Sequence, residues 1–329
     1  MVSKLILQSA KKRIVTFLAV CGAVLCTISG ALGAEYPSRA ITVNTARSGS
    51  VVDYVARVFA KAANKHFGVN FIVNNTAGQI EAVRGTMNAA PDGYTLALVN
   101  NTVVINDVTG NTDFDAIADN NIVGLVAAKP GSWIAIRKEL AEKGNIKTLK
   151  DLFDYTNAHP GELMITDQTA SNTHIEVLSL QNLGLNVTPA IIGNANARLT
   201  SYLGGSCDIF IGAYSVIEQY IKKGDVVCLA SMSMKRNKYT PDIPCSNELG
   251  YPMDDMIYYY VSAPKDLPED RLNQLSELCK KVTEDPDYIK GLANNVIDPE
   301  YKGPAEAKEF MSRDKQNMIS LGMGEGYKK

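Results

Sequence analysis

Short apolar runs alternate with apolar patterns at helical spacing along most of this 329-residue chain. Strand-like runs fall at 40–45, 69–73, 94–99, 122–127, 132–136, 163–166, 187–192, 207–211, 226–231 and 257–262. Helical spacing recurs at 52–66, 79–89, 148–157, 172–183, 195–203, 214–222, 268–283 and 304–321. A chain that alternates in this way lays strands side by side and packs helices across them, so it specifies an α/β fold with mainly parallel sheets. Internal repeats and low-complexity tracts do not appear. With 46 % hydrophobic and 21 % charged residues, the length suffices for two cores.

Two breaks punctuate the alternation, at Lys129-Pro130-Gly131 and at Ser262-Ala263-Pro264. Taken as crossings between lobes, they assign residues 34–130 plus 263–329 to lobe 1 and 131–262 to lobe 2, with a ligand cleft between the two. Residues 1–33 read as a signal peptide. Lys4, Lys11, Lys12 and Arg13 precede an uncharged run, and Ala31-Leu32-Gly33 supplies the small-x-small pattern of a cleavage site. The expectation is export, cleavage and a periplasmic location. Loss of four basic residues makes the mature chain more acidic than the formal −2 of the whole, which argues against nucleic acid as a partner. Cys207, Cys228, Cys245 and Cys279 remain, in spacings that fit no zinc motif; buried thiols, or one bridge from Cys228 to Cys245, are expected.

Two strand-to-helix junctions stand out, Thr45 to Arg57 and Thr166 to Leu178. The first N–H groups of a helix lack intrahelical partners and sit at the positive end of its dipole, so both junctions are candidate anion cradles. Ser48, Gly49, Ser50, Val51, Val52 and Asp53 form the first; Thr169, Ala170, Ser171, Asn172 and Thr173 form the second, with Ser171 placed to cap. Asn101 follows a strand end and can hydrogen-bond a polar ligand, and Asp208 joins the candidate set. Arg47 and Arg198 are the nearest cations for a second carboxylate. Asp167 beside such a site points to a ligand with an amino or amide group. In Tyr258-Tyr259-Tyr260, alternation assigns one face to the core and the other to core or cleft.

His66, His159 and His174 share no metal-binding spacing, and the chain has no nucleophile elbow, Walker loop or dinucleotide fingerprint. No enzyme activity, cofactor or metal is therefore expected.

Several short motifs, in order, carry a resemblance. These are Tyr36-Pro37-Ser38-Arg39-Ala40-Ile41-Thr42, Asp53-Tyr54-Val55-Ala56-Arg57, Pro91-Asp92-Gly93-Tyr94, Lys147-Thr148-Leu149-Lys150-Asp151-Leu152, Leu203-Gly204-Gly205-Ser206-Cys207-Asp208 and Pro241-Asp242-Ile243-Pro244. Together the set resembles the Bug/TctC family of extracytoplasmic solute-binding proteins of tripartite tricarboxylate transporters. The resemblance implies a two-lobed, type II-like periplasmic-binding-protein fold that closes on a small carboxylate held at the two loop–helix junctions. It also implies membrane permease subunits as partners and a monomeric receptor. A sensing protein that signals to a membrane kinase is the alternative. The chain departs from the family pattern at both loops: Val52 replaces a hydroxyl residue, and Asp167 to His174 contains no glycine. The implied position of the clamp thus transfers more readily than the identity of its ligand.

Overall fold

In a computed structural model, residues 36–253 and 255–324 are described, and the expected signal peptide at 1–33 lies outside them. The first sheet is built from β1 (Ile41–Thr45), β2 (Phe71–Asn75), β3 (Thr95–Asn100), β4 (Asn120–Lys129), β10 (Ile257–Pro264) and β11 (Asp298–Lys302), in the order β11-β4-β10-β3-β1-β2. The second uses β5 (Trp133–Arg137), β6 (Met164–Asp167), β7 (Thr188–Ile191), β8 (Ile209–Gly212) and β9 (Val226–Ser231), in the order β7-β6-β8-β5-β9. Each sheet centres one α/β lobe.

The expectation of mainly parallel sheets requires correction, because both are mixed. β1 pairs parallel with β2 and β3, and β6 with β7 and β8, whereas β10 runs antiparallel to β3 and β4, and β5 to β8 and β9. The cause lies in the crossings. β4 carries the chain out of the first sheet and β10 brings it back; as these two lie side by side, they must point in opposite directions. The return also comes earlier than Ser262-Ala263-Pro264, since those residues are the last three of β10, and Pro264 pairs with Asn120 at the strand end. A proline at a strand terminus marks where pairing stops.

The helices follow the strands: α1 (Val51–Phe67), α2 (Gln79–Met87), α3 (Thr102–Val108), α4 (Lys138–Gly144), α5 (Leu149–Ala158), α6 (Asn172–Asn182), α7 (Ala195–Leu203), α8 (Tyr214–Lys223), α9 (Glu269–Thr283), α10 (Pro286–Ala293) and α11 (Pro304–Ser320). Helix α6 has two apolar faces. Val177 and Leu180 enter the core of the second sheet with Ile165 and Ile209, while Ile175, with Leu178 against it, joins the first-sheet cluster of Val99, Leu125 and Tyr258. The helix is therefore shared between lobes. Tyr258, Tyr259 and Tyr260 are all buried, so neither face of that strand is open to a cleft. Cys207, Cys228, Cys245 and Cys279 are free thiols.

Candidate functional site

The carboxyl ends of β1, β2 and β3 lie along one edge of the first sheet, where Thr45 Oγ1 donates to Leu98 O and Thr76 N to Thr45 O. From β1 the chain turns through Ala46 to Ser50 into α1. Gly49 takes the left-handed conformation (φ 81°). Ser50 caps the helix by accepting from Asp53 N at 3.1 Å, and its own N–H reaches Arg47 O. Asp53 then reaches back to Gly49 N (2.9 Å), while Asn75 Nδ2 and Arg57 Nε meet its other oxygen at 2.8 and 2.9 Å. Burial pushes this carboxyl's pKa up, but the hydrogen bonds from Asn75, Gly49 and Arg57, with the Arg57 charge, outweigh it and hold the value below the usual carboxylate range. Asp53 thus fixes the loop from beneath. The first helical N–H groups left over, on Val51 and Val52, have no acceptor among the described residues.

At the carboxyl end of β6 the second junction repeats this logic. Ala170 adopts φ 50°, the conformation for which glycine is usual. Ser171 Oγ donates to Gln168 O and caps α6 at His174 N. The N–H groups of Asn172 and Thr173 have no acceptor among the described residues. Asp167 is fully buried; His174 Nδ1 lies 2.7 Å from one carboxylate oxygen and Gln168 N donates to the other at 2.6 Å. Both of its carboxylate oxygens are therefore engaged by groups of its own loop and of α6.

Asn101 and Asn172 bring the two edges together. Asn101, the N-cap of α3, is 1 % exposed and donates from Nδ2 to Asn172 Oδ1 at 2.7 Å. Asn172 Nδ2 faces Asn101 Oδ1 at 3.5 Å, and Asn101 Nδ2 also reaches Met256 O. Asn101 and the second junction are therefore in contact. Ser48 and Thr169 are exposed at the loop tips, and Val51 is 44 % exposed beside its open N–H. Asp208 requires correction as a site residue. It precedes β8, at the amino end of that strand, where it accepts from Met164 N and pairs with Arg137. That is the edge opposite Asp167.

Glu176 went unnoticed in the sequence. It is 1 % exposed on α6, accepts from Ser132 N just after the outward crossing, and burial pushes its pKa up to about 8. The available signal was an acid between Ile175 and Val177 on a helix apolar on two faces.

Residues 55–320 match the profile of the tripartite tricarboxylate transporter family receptor, TctC. The chain belongs to the TctC family. Its members are binding receptors, so this TctC-family chain is not an enzyme. Protein BugT of Bordetella pertussis is 24 % identical over 315 residues, covering 92 % of this chain and 95 % of its own. Among solved structures, a TctC solute-binding protein from Polaromonas superposes with TM-score 0.75 at 22 % identity, over 87 % of this chain and 98 % of the other. Periplasmic binding protein BugD gives TM-score 0.65 at 21 % identity (88 % and 99 %). MatC of Rhodopseudomonas palustris, solved with bound malate, gives 0.63 at 20 % (89 % and 100 %). The fold is that of a periplasmic binding protein. No helix among the described residues is long and apolar enough to cross a membrane.

Proposed function

We propose that this TctC-family chain is an exported, periplasmic and monomeric receptor that captures a small carboxylate between its lobes and hands it to the permease subunits of a membrane transporter. Lobe 1 holds the sheet of β1–β4, β10 and β11, lobe 2 that of β5–β9. The observation that carries the reading is the pair of capped helix starts with spare N–H donors, Val51 and Val52 on α1 and Asn172 and Thr173 on α6, one in each lobe. Backbone donors at a helix start favour a carboxylate without requiring a basic patch. Malate in MatC supports the ligand class. Ser48, Gly49, Ser50, Thr169, Ala170 and Ser171 shape the two loops, Asp53 holds the first in place, and Asn101 closes across to Asn172. A ligand touching both lobes stabilises the closed form in proportion to its preference for that form.

A thermal-shift screen of mono-, di- and tricarboxylates, amino acids and aromatic acids tests the reading. At least one carboxylate should raise the melting temperature in a dose-dependent way, by RT ln(1 + [L]/Kd) in stability. Failure of every acid to do so would refute it.

A further inference from the structure

Arg198 on α7 is 5 % exposed, yet its Nη1 donates only to the neutral amide oxygen of Gln168, and its buried Nε has no partner among the described residues. A guanidinium keeps its charge at any ordinary pH, and a buried charge without a counter-charge is costly. The carboxyls in its electrostatic reach are Asp167 and Glu176. Neither serves. Asp167 is taken by His174 Nδ1 and Gln168 N, and Glu176 accepts from Ser132 N while burial keeps it a neutral acid near pH 7. Gln168, the residue Arg198 does hold, belongs to the same loop that ends at the open N–H groups of Asn172 and Thr173. Arg198 thus holds an unpaired Nε next to the loop that leads to that helix start.

We infer that Arg198 is the specificity-determining residue of the site: it is the counter-charge for a second carboxylate, and it makes the receptor select dicarboxylates over monoacids. This rests on the carboxylate reading above. Guanidinium and carboxylate are geometrically matched for paired hydrogen bonds, and Nε with one Nη is the usual side-on pairing edge. Glutamine in place of Arg198 keeps a polar, hydrogen-bonding chain but supplies no charge. Lysine keeps the charge but not the fork.

The test is calorimetric titration of wild type, Arg198→Gln and Arg198→Lys with α,ω-dicarboxylates of four to eight carbons and their length-matched monoacids, with circular dichroism as the check on folding. Wild type should bind its best dicarboxylate at least about tenfold more tightly than the matched monoacid, Arg198→Gln should abolish that ratio, and Arg198→Lys should fall between. A wild type without preference, or a folded Arg198→Gln variant that keeps it, overturns the inference and leaves the carboxylate reading standing. Should Arg198→Gln not fold, a folded Arg198→Lys variant with an undiminished ratio overturns it equally. Wild type that binds no acid of either kind removes the carboxylate reading and this inference together.

Discussion

Ala170 holds a left-handed backbone at the second junction, and that single residue illustrates how this chain keeps a loop shape without the glycine for which that conformation is usual. An L-residue in that region costs about 1–2 kcal/mol relative to the right-handed one. Glycine relieves the strain but loses more entropy on folding, by roughly 0.5–1 kcal/mol, and forfeits the methyl contact with the first core. Ala170→Gly should therefore be close to neutral. Ala170→Val, with a β-branched side chain at positive φ, should lower stability by about 2 kcal/mol in chemical denaturation. Equal stability of the two variants would show that the loop relaxes out of this conformation. Glu176 offers a second test at the same scale. Its pKa is raised from 4.5 to about 8 in the folded chain, so the folded state keeps a proton that the unfolded state releases between those values. Stability from this group falls as pH rises through that window, by up to about 1.4 kcal/mol per unit, and levels off above it. Glu176→Gln should flatten the decline seen in wild-type melting curves; an unchanged slope would assign the decline to other groups.

Helix starts are where individual side chains set the placement of whole elements. Asp285 caps α10 by accepting from Asp287 N (2.8 Å) and Tyr288 N (3.4 Å), and its other oxygen meets Lys65 and His66 of α1 at 3.0 and 2.8 Å. Burial pushes its pKa up, but the bonds from Lys65, His66 and the two backbone N–H groups prevail and bring it down to about 2. The stabilisation is present above the ordinary aspartate value near 3.8 and is lost as pH falls toward about 2. Asp285→Ala should cost about 2 kcal/mol through the lost cap and the stranded partners, measured by urea unfolding near neutral pH. A loss under about 0.5 kcal/mol would mean that water replaces the cap. The same elements mark what was legible in the sequence. Val52, Val55, Ala56, Phe59, Ala60 and Ala63 disclose α1 because they alternate against a core; α3, α4 and α10 are only seven or eight residues long, too short for a period to show. β11 escapes because Asp-Pro-Glu-Tyr-Lys is half-buried throughout and pairs with β4 at the sheet edge. At the site, the loops could be read because capping serines and small residues are local signals. Asn75 beneath Asp53, the His174 contact of Asp167, and Asp208 at the far strand end depend on how strands line up, which spacing along one chain does not encode.

Across the whole molecule, the two lobes meet where the chain crosses between them, and Gly131 sits at that junction with no room for a side chain. A Cβ there would lie 2.3 Å from Met232 O and 2.5 Å from Asp255 O, with Glu176 Oε1 at 2.9 Å. The first two are backbone oxygens, one following β9 in the second sheet and one preceding β10 in the first, so neither can swing aside as a side chain does. Met232 N donates to Ser132 O at 2.7 Å, and Ser132 N donates to Glu176, so the outward crossing is tied to the second lobe on both sides of its peptide groups. Gly131→Ala must separate these strands or shift the crossing. Either change disturbs the registry that sets Asn101 against Asn172, since α6 carries both Asn172 and Glu176. The variant should lose at least about 2 kcal/mol of stability, as overpacking against rigid atoms does, and, under the proposed function, should bind a carboxylate about tenfold or more weakly. Small-angle scattering should then record a larger radius of gyration than for wild type under the same conditions, because fewer molecules hold the joined arrangement. A variant with wild-type scattering and affinity would show that the crossing bends freely and that the lobe contact is set by the Asn101–Asn172 pair and the apolar face of α6 instead.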